Sequence, residues 1–194
     1  FPEPIDAVVV SPFLRCIQTA NEVVQAYENA AQGKMGRKRL ALFLDHGVCE
    51  VLTVRNVGEQ PKFYTAQELI SMEPFLEGRL SGWDGYTASV GQDVEGLKGP
   101  APSQWPETMT QAMARYAESF QRLPSRFPSA NILLVAHGDT VSQFISMTQK
   151  IQRDTIYEVP FCALAWATMK IKSTQGLPEW GSGQTNEDVL ILRD

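Results

Sequence analysis

Three residues in this chain have the chemistry to hold and process an anion: Arg15, Glu50 and His137. Arg15 lies in AVVVSPFLRCIQTA (residues 7–20), where an apolar strand turns into a helix. Helical side chains lean toward the N-terminus, so a guanidinium one turn inside the helix reaches back to the strand mouth. Free backbone amides and the positive helix end favour an anion there. The fixed five-donor fork of arginine matches phosphate geometry better than lysine does. Taken alone, S-P-x-x-R also describes an ordinary surface arginine.

His137 ends the run ILLVA in residues 132–140, ILLVAHGDT. A continuous apolar run of this kind is expected of a parallel strand covered on both faces. Gly138 lets the backbone turn tightly. The C-terminal ends of such strands are where open α/β sheets bind ligands. Only two histidines occur in the chain, and this one stands at the reactive edge. The other, His46 in LDHGVCE, reads as a turn residue beside Gly47. Glu50 closes that same segment. A carboxyl group near a bound anion has its pKa raised and can donate a proton near neutral pH; the plainer reading is a strand-end surface carboxylate. There is no G-x-S-x-G, G-x-x-x-x-G-K-[ST] or G-x-G-x-x-G motif, and the histidines and cysteines lack metal-ligand spacing. Neither metal nor cofactor is expected.

The elements that must position these residues alternate between strand and helix, which predicts a layered α/β fold. Residues 7–10 read as a strand and 12–30 as a helix capped by Ser11 with Pro12 in its first turn. Residues 33–39 (GKMGRKR) form a basic loop, either solvated or able to dock an anionic partner. A strand is predicted at 40–44 and a helix at 65–72, opened by a Thr65/Glu68 capping box. From 74 to 104 the periodicity fails, with Trp83 and Tyr86 inside that stretch and Trp105 just after it. It reads as an insertion, either a lid over the site or a surface excursion pinned by its aromatics. A helix at 107–123 ends before Pro124. Strand 131–136 leads into helix 139–150, capped by Asp139 or Thr140. Residues 163–172 and 188–193 alternate like strands, joined by a Gly-rich connection at 173–187.

Bulk properties agree with an ordinary globular protein. A chain of 194 residues fits one domain that buries roughly 70% of its extended surface. Hydrophobic content is 43% and charged content 20%, both ordinary for such a domain. A net charge of −5 and a pI near 5.1 argue against a nucleic-acid partner. Three cysteines (Cys16, Cys49, Cys162) without a C-x-x-C are expected to be reduced thiols of a cytoplasmic protein. No apolar run approaches the ~20 residues that span a bilayer, so no membrane association is expected.

With these residues in place, the chain resembles the histidine phosphatase superfamily, also called phosphoglycerate mutase-like. SPFLRCIQTA resembles the family's strand–helix signature with its second phosphate-binding arginine, here Arg15. VAHGDTVS resembles its second histidine motif, here His137, and PETMTQAMARYAESFQRL the helix before it. LDHGVCEVL resembles the segment of the proton donor, here Glu50. PFCALAWATMKI and TNEDVLIL resemble the terminal strands. The wording around Arg15 and Glu50 is most similar to the phosphatase domains of the suppressor of T-cell receptor signalling type.

The resemblance spans nearly the whole chain. It implies a three-layer sandwich with a mostly parallel central sheet and helices on both faces, here one domain over 1–194 with 74–104 an insertion or lid. It implies a phosphomonoesterase acting through a phosphohistidine on a phosphorylated small molecule or phosphoprotein. The family's nucleophile sits in an Arg-His-Gly motif at the end of its first strand. That motif is absent here, and His46 and His137 map elsewhere. The nucleophile is therefore expected upstream of residue 1. A non-catalytic binding module and a phosphoglycerate mutase are the alternatives.

Overall fold

The computed structural model describes residues 4–30, 39–61, 63–64, 66–80, 102, 104–152, 156–170, 179–181, 183–186 and 190–191. At its centre three parallel strands pair side by side. β1 (Ala7–Val10) lies between β2 (Leu42–Leu44) and β3 (Ile132–Val135). Val9 is in register with Phe43 on one side and Leu134 on the other. All four β1 residues are buried, as the middle strand of a doubly covered parallel sheet should be.

Alternation along the strands sends side chains to two separate cores. Val8, Val10, Leu42 and Leu44 pack with Ile17, Ala20 and Val24 of helix α1 (Leu14–Ala30). A single helical turn, α2 (Val54–Val57), precedes α3 (Ala66–Met72), whose Leu69 joins the same cluster. On the other face Ala7, Val9 and Phe43 meet Tyr116, Phe120 and Leu123 of α4 (Met109–Arg126) and Phe144 of α5 (Gly138–Gln149). Each large side chain buried in this way stabilises the fold by about 1.5–3 kcal/mol. The chain is thus a mixed α/β fold with helices against both faces of a small parallel sheet.

Several boundaries differ from the sequence expectation. Helix α1 begins at Leu14, not at residue 12. The Phe13 carbonyl accepts from the amides of Cys16 and Ile17, and the Ser11 hydroxyl makes only a long 3.4 Å contact with the Phe13 amide. Helix α4 runs through Pro124 to Arg126 instead of stopping before it. Proline removes one backbone donor, but the extra turn buries Arg126 and leads into buried Phe127, which outweighs that loss. The start of α4 carries a full capping box, Thr108 with Gln111. His137 itself, not Asp139 or Thr140, occupies the cap of α5. Strand β3 is only half-buried along its length, where full burial was expected.

The expected strand 163–172 is two short pieces, β5 (Ala165–Trp166) and β6 (Met169–Lys170). They pair antiparallel with β8 (Gln184–Thr185) and β7 (Glu179–Trp180), inside the expected Gly-rich connection. The register slips by one residue between the two ladders, a bulge. Two glycines lie at the slip. Gly181 donates to the Thr168 carbonyl at 2.6 Å. A Cβ on Gly183 would lie 2.1 Å from the Thr148 hydroxyl of α5. β4 (Ile156–Glu158) pairs with β9 (Leu190–Ile191), the described part of the expected 188–193 strand.

Leu76 and Leu80, at the start of the expected insertion, are core residues. Trp83, Tyr86, Thr65, residues 33–38 and most of 81–103 lie outside the described residues. Among the described residues no helix is long and apolar enough to cross a membrane.

Candidate active site

Arg15, Glu50 and His137 meet at the C-terminal ends of β1 and β3. Arg15 Nη2 lies 3.1 Å from Glu50 Oε2 and 3.0 Å from His137 Nδ1. Glu50 Oε2 and His137 Nδ1 are 3.3 Å apart. All three residues expected from the sequence are therefore within one contact shell. Their exposures differ. The Arg15 side chain is 56% exposed, Glu50 17% and His137 3%. Arg15 also lies over the Phe13 ring, 4.7 Å from its centroid, a cation–π contact that orients the fork.

His137 is fixed on every side. Its Nε2 is 2.7 Å from the Ser11 hydroxyl, and Phe13 stands edge-on to the ring with centroids 5.2 Å apart. The Cys16 sulfur is 3.6 Å from Nε2. A neutral ring accepts from Arg15 at Nδ1 and donates from Nε2 to Ser11; a protonated ring donates from Nδ1 to Glu50. Burial pushes the Cys16 thiol up to about 11 and the Cys49 thiol up to about 12, so both stay protonated and unreactive.

Burial alone would raise the Glu50 pKa. The hydrogen bond and charge of His137, the Val51 amide and Arg15 together outweigh that and hold the carboxyl below its usual 4.5. Oε1 accepts from the Val51 amide at 3.0 Å, which leaves Oε2 as the oxygen that faces Arg15 and His137. A depressed carboxyl stabilises the fold above its ordinary pKa and loses that contribution as pH falls through the lower folded value. Thermal melts followed by circular dichroism from about pH 7 to about pH 3 should therefore decline below pH 4.5. Glu50→Gln should flatten part of that decline. An identical acid slope in wild type and variant would show that the carboxylate has no such role.

His46 opens a short 3-10 turn, His46–Val48. It takes no place in the three-residue contact. Its ring stands edge-on to Phe63, and Phe63 to Phe13, so the two aromatics separate it from His137.

Four further residues were not singled out from the sequence. Asp45 Oδ1 caps the 3-10 turn by accepting from the Gly47 amide at 2.7 Å. Its other oxygen pairs with Arg126, with both side chains buried. Arg115 of α4 and Glu107 form a second buried pair beneath the same turn. No local pattern marks them, because Arg115 and Arg126 reach the turn and Asp45 across more than sixty positions.

Among curated proteins, no sequence matches the chain. Residues 53–180 match the histidine phosphatase superfamily (branch 1), a span that includes His137 and stops short of Arg15 and Glu50. That span is well over half of the 194 residues, and the chain belongs to the histidine phosphatase superfamily.

Proposed function

We propose that this protein is a phosphomonoester hydrolase acting through a phosphohistidine. The observation that carries the reading is the convergence of Arg15, His137 and Glu50 within 3.0–3.3 Å at two strand ends. Arg15 and His137 bind the non-bridging oxygens of the phosphoryl group and stabilise the charge that builds on them. A phosphate dianion competes with Glu50 for both. As they turn to it, Glu50 keeps the Val51 amide but loses the two side chains that hold it ionised, and takes up a proton. A histidine nitrogen then attacks phosphorus while the ester P–O bond breaks, and Glu50 gives its proton to the leaving oxygen. In the second half water attacks phosphorus, the N–P bond breaks, and the water's proton returns to Glu50.

The attacking histidine is assigned to an Arg-His-Gly segment upstream of residue 1. Strand β3 supports this. Among the described residues its only strand partner is β1, and its apolar residues Ile132–Val135 are only half-buried. An apolar edge of this kind is suited to a further strand. The wording around Arg15 and Glu50 favours a phosphatase of the suppressor of T-cell receptor signalling type over a mutase.

The test is phosphate release from a generic aryl phosphate by the full-length protein. Sustained release, with acid-labile phosphate trapped on a histidine, supports the reading. No release would leave a non-catalytic binding module, and dependence on a bisphosphoglycerate primer would mark a mutase.

A further inference from the structure

Behind Glu50 stands a buried ion pair that the chemistry above does not use. Arg115 and Glu107 side chains are 4% and 2% exposed. They meet fork to fork, Nε to Oε1 at 2.8 Å and Nη2 to Oε2 at 2.7 Å. The other donors of Arg115 point at a row of backbone carbonyls. Nη1 reaches Gly47 at 2.9 Å, Cys49 at 3.2 Å and His46 at 3.4 Å. Nη2 reaches the Glu50 carbonyl at 3.3 Å. The Tyr116 hydroxyl donates to the Cys49 carbonyl at 2.8 Å. Glu107 holds the far end, accepting from the Leu52 amide at its carboxylate and donating from its own amide to the Leu52 carbonyl.

This arrangement is a poor means of stabilising a fold, because desolvating two charges offsets most of their attraction. What it supplies is a fixed backbone where no regular element exists. Glu50 lies just past a 3-10 turn of three residues and outside any helix or strand. Burial works against the Arg115 charge, and Glu107 outweighs it, so the guanidinium keeps all its donors. The carbonyls are drawn into the core, and the Glu50 side chain is left on the opposite side, toward Arg15 and His137.

We infer that Arg115, locked by Glu107, is a positioning residue that sets the reach of Glu50 to the leaving-group oxygen. The inference rests on the phosphatase reading above. It predicts a selective defect. An ester of an acidic phenol departs without a proton, whereas an alkyl phosphate needs one from Glu50. In the full-length protein, Arg115→Lys keeps a charge for Glu107 but loses the fork. Its kcat/KM on an alkyl phosphate should fall about 10²-fold, the scale of a misplaced catalytic group. On the acidic aryl phosphate kcat/KM, which ends at phenol departure and so excludes the water step that also uses Glu50, should stay close to wild type. Equal losses on both esters would overturn the inference, since a smaller folded fraction scales both alike. If Arg115→Lys does not fold, Tyr116→Phe removes only the hydroxyl, which donates to the Cys49 carbonyl and also meets the Thr140 side chain. It should give the same selectivity at smaller size, and an unchanged ratio of the two kcat/KM values overturns the inference equally. A wild-type protein inactive on both esters would sink the phosphatase reading itself, and this inference with it.

Discussion

Replacing Arg15 with alanine should lower phosphate release by the full-length protein about a thousandfold, with the fold intact. The size follows from charge. A guanidinium in contact with a phosphate oxygen contributes about 4 kcal/mol of attraction at moderate effective dielectric, which corresponds to about 10³ in rate if it is realised in the transition state. The fold should persist because the Arg15 side chain is 56% exposed and it pairs with Glu50, a pairing worth little at an open site. Arg15→Lys should fall between the two, keeping the charge and losing the fork. The assay is initial-rate kinetics on an aryl phosphate beside a circular dichroism melt. Unchanged turnover in Arg15→Ala would falsify the assignment of this site.

The second large effect is on stability. Asp45→Ala should destabilise the fold by about 3–5 kcal/mol, the scale of removing one partner of a buried ion pair. Asp45 is fully buried. It holds the 3-10 turn through the Gly47 amide and neutralises Arg126 at the end of α4. For a chain of this size the loss corresponds to a melting point lower by roughly 10 °C. Asp45→Asn should be nearly as harmful, since it can keep the Gly47 contact but removes the carboxylate charge that faces Arg126. A melting point for Asp45→Ala within about 1 °C of wild type would mean that Arg126 finds another partner at no cost, and the argument from burial fails.

The contrast between these two predictions reflects what a sequence can reveal. Arg15 and His137 were legible because each follows a short apolar strand, and the end of a parallel strand is a place with a known use. Glu50 was legible through its neighbours in LDHGVCE. Arg115 and Arg126 were not. On an amphipathic helix an arginine reads as a solvent-facing position, and only the fold brings Arg115 beneath Gly47 and Arg126 beneath Asp45. The α4 boundary failed for a related reason: Pro124 is a local stop signal, and buried Arg126 and Phe127 override it. The slipped pairing around Gly181 and Gly183 was hidden too. A bulge depends on close approach to Thr168 and Thr148, which no periodicity encodes.

The middle position of β1 has a consequence for how the molecule assembles. Ala7 pairs with Ile132, and Ser11 with His137, so β1 waits on chain made more than 120 residues later. Parallel pairings at such sequence separation close slowly, because loop entropy is lost before any contact rewards it. During synthesis at about 5–20 residues per second, β1 and β2 are exposed for several seconds before β3 leaves the ribosome. Arg15 and Glu50 spend that time without His137. The site is therefore among the last features to form, and mutations that loosen the β1–β3 register should slow its acquisition more than they slow the formation of α1.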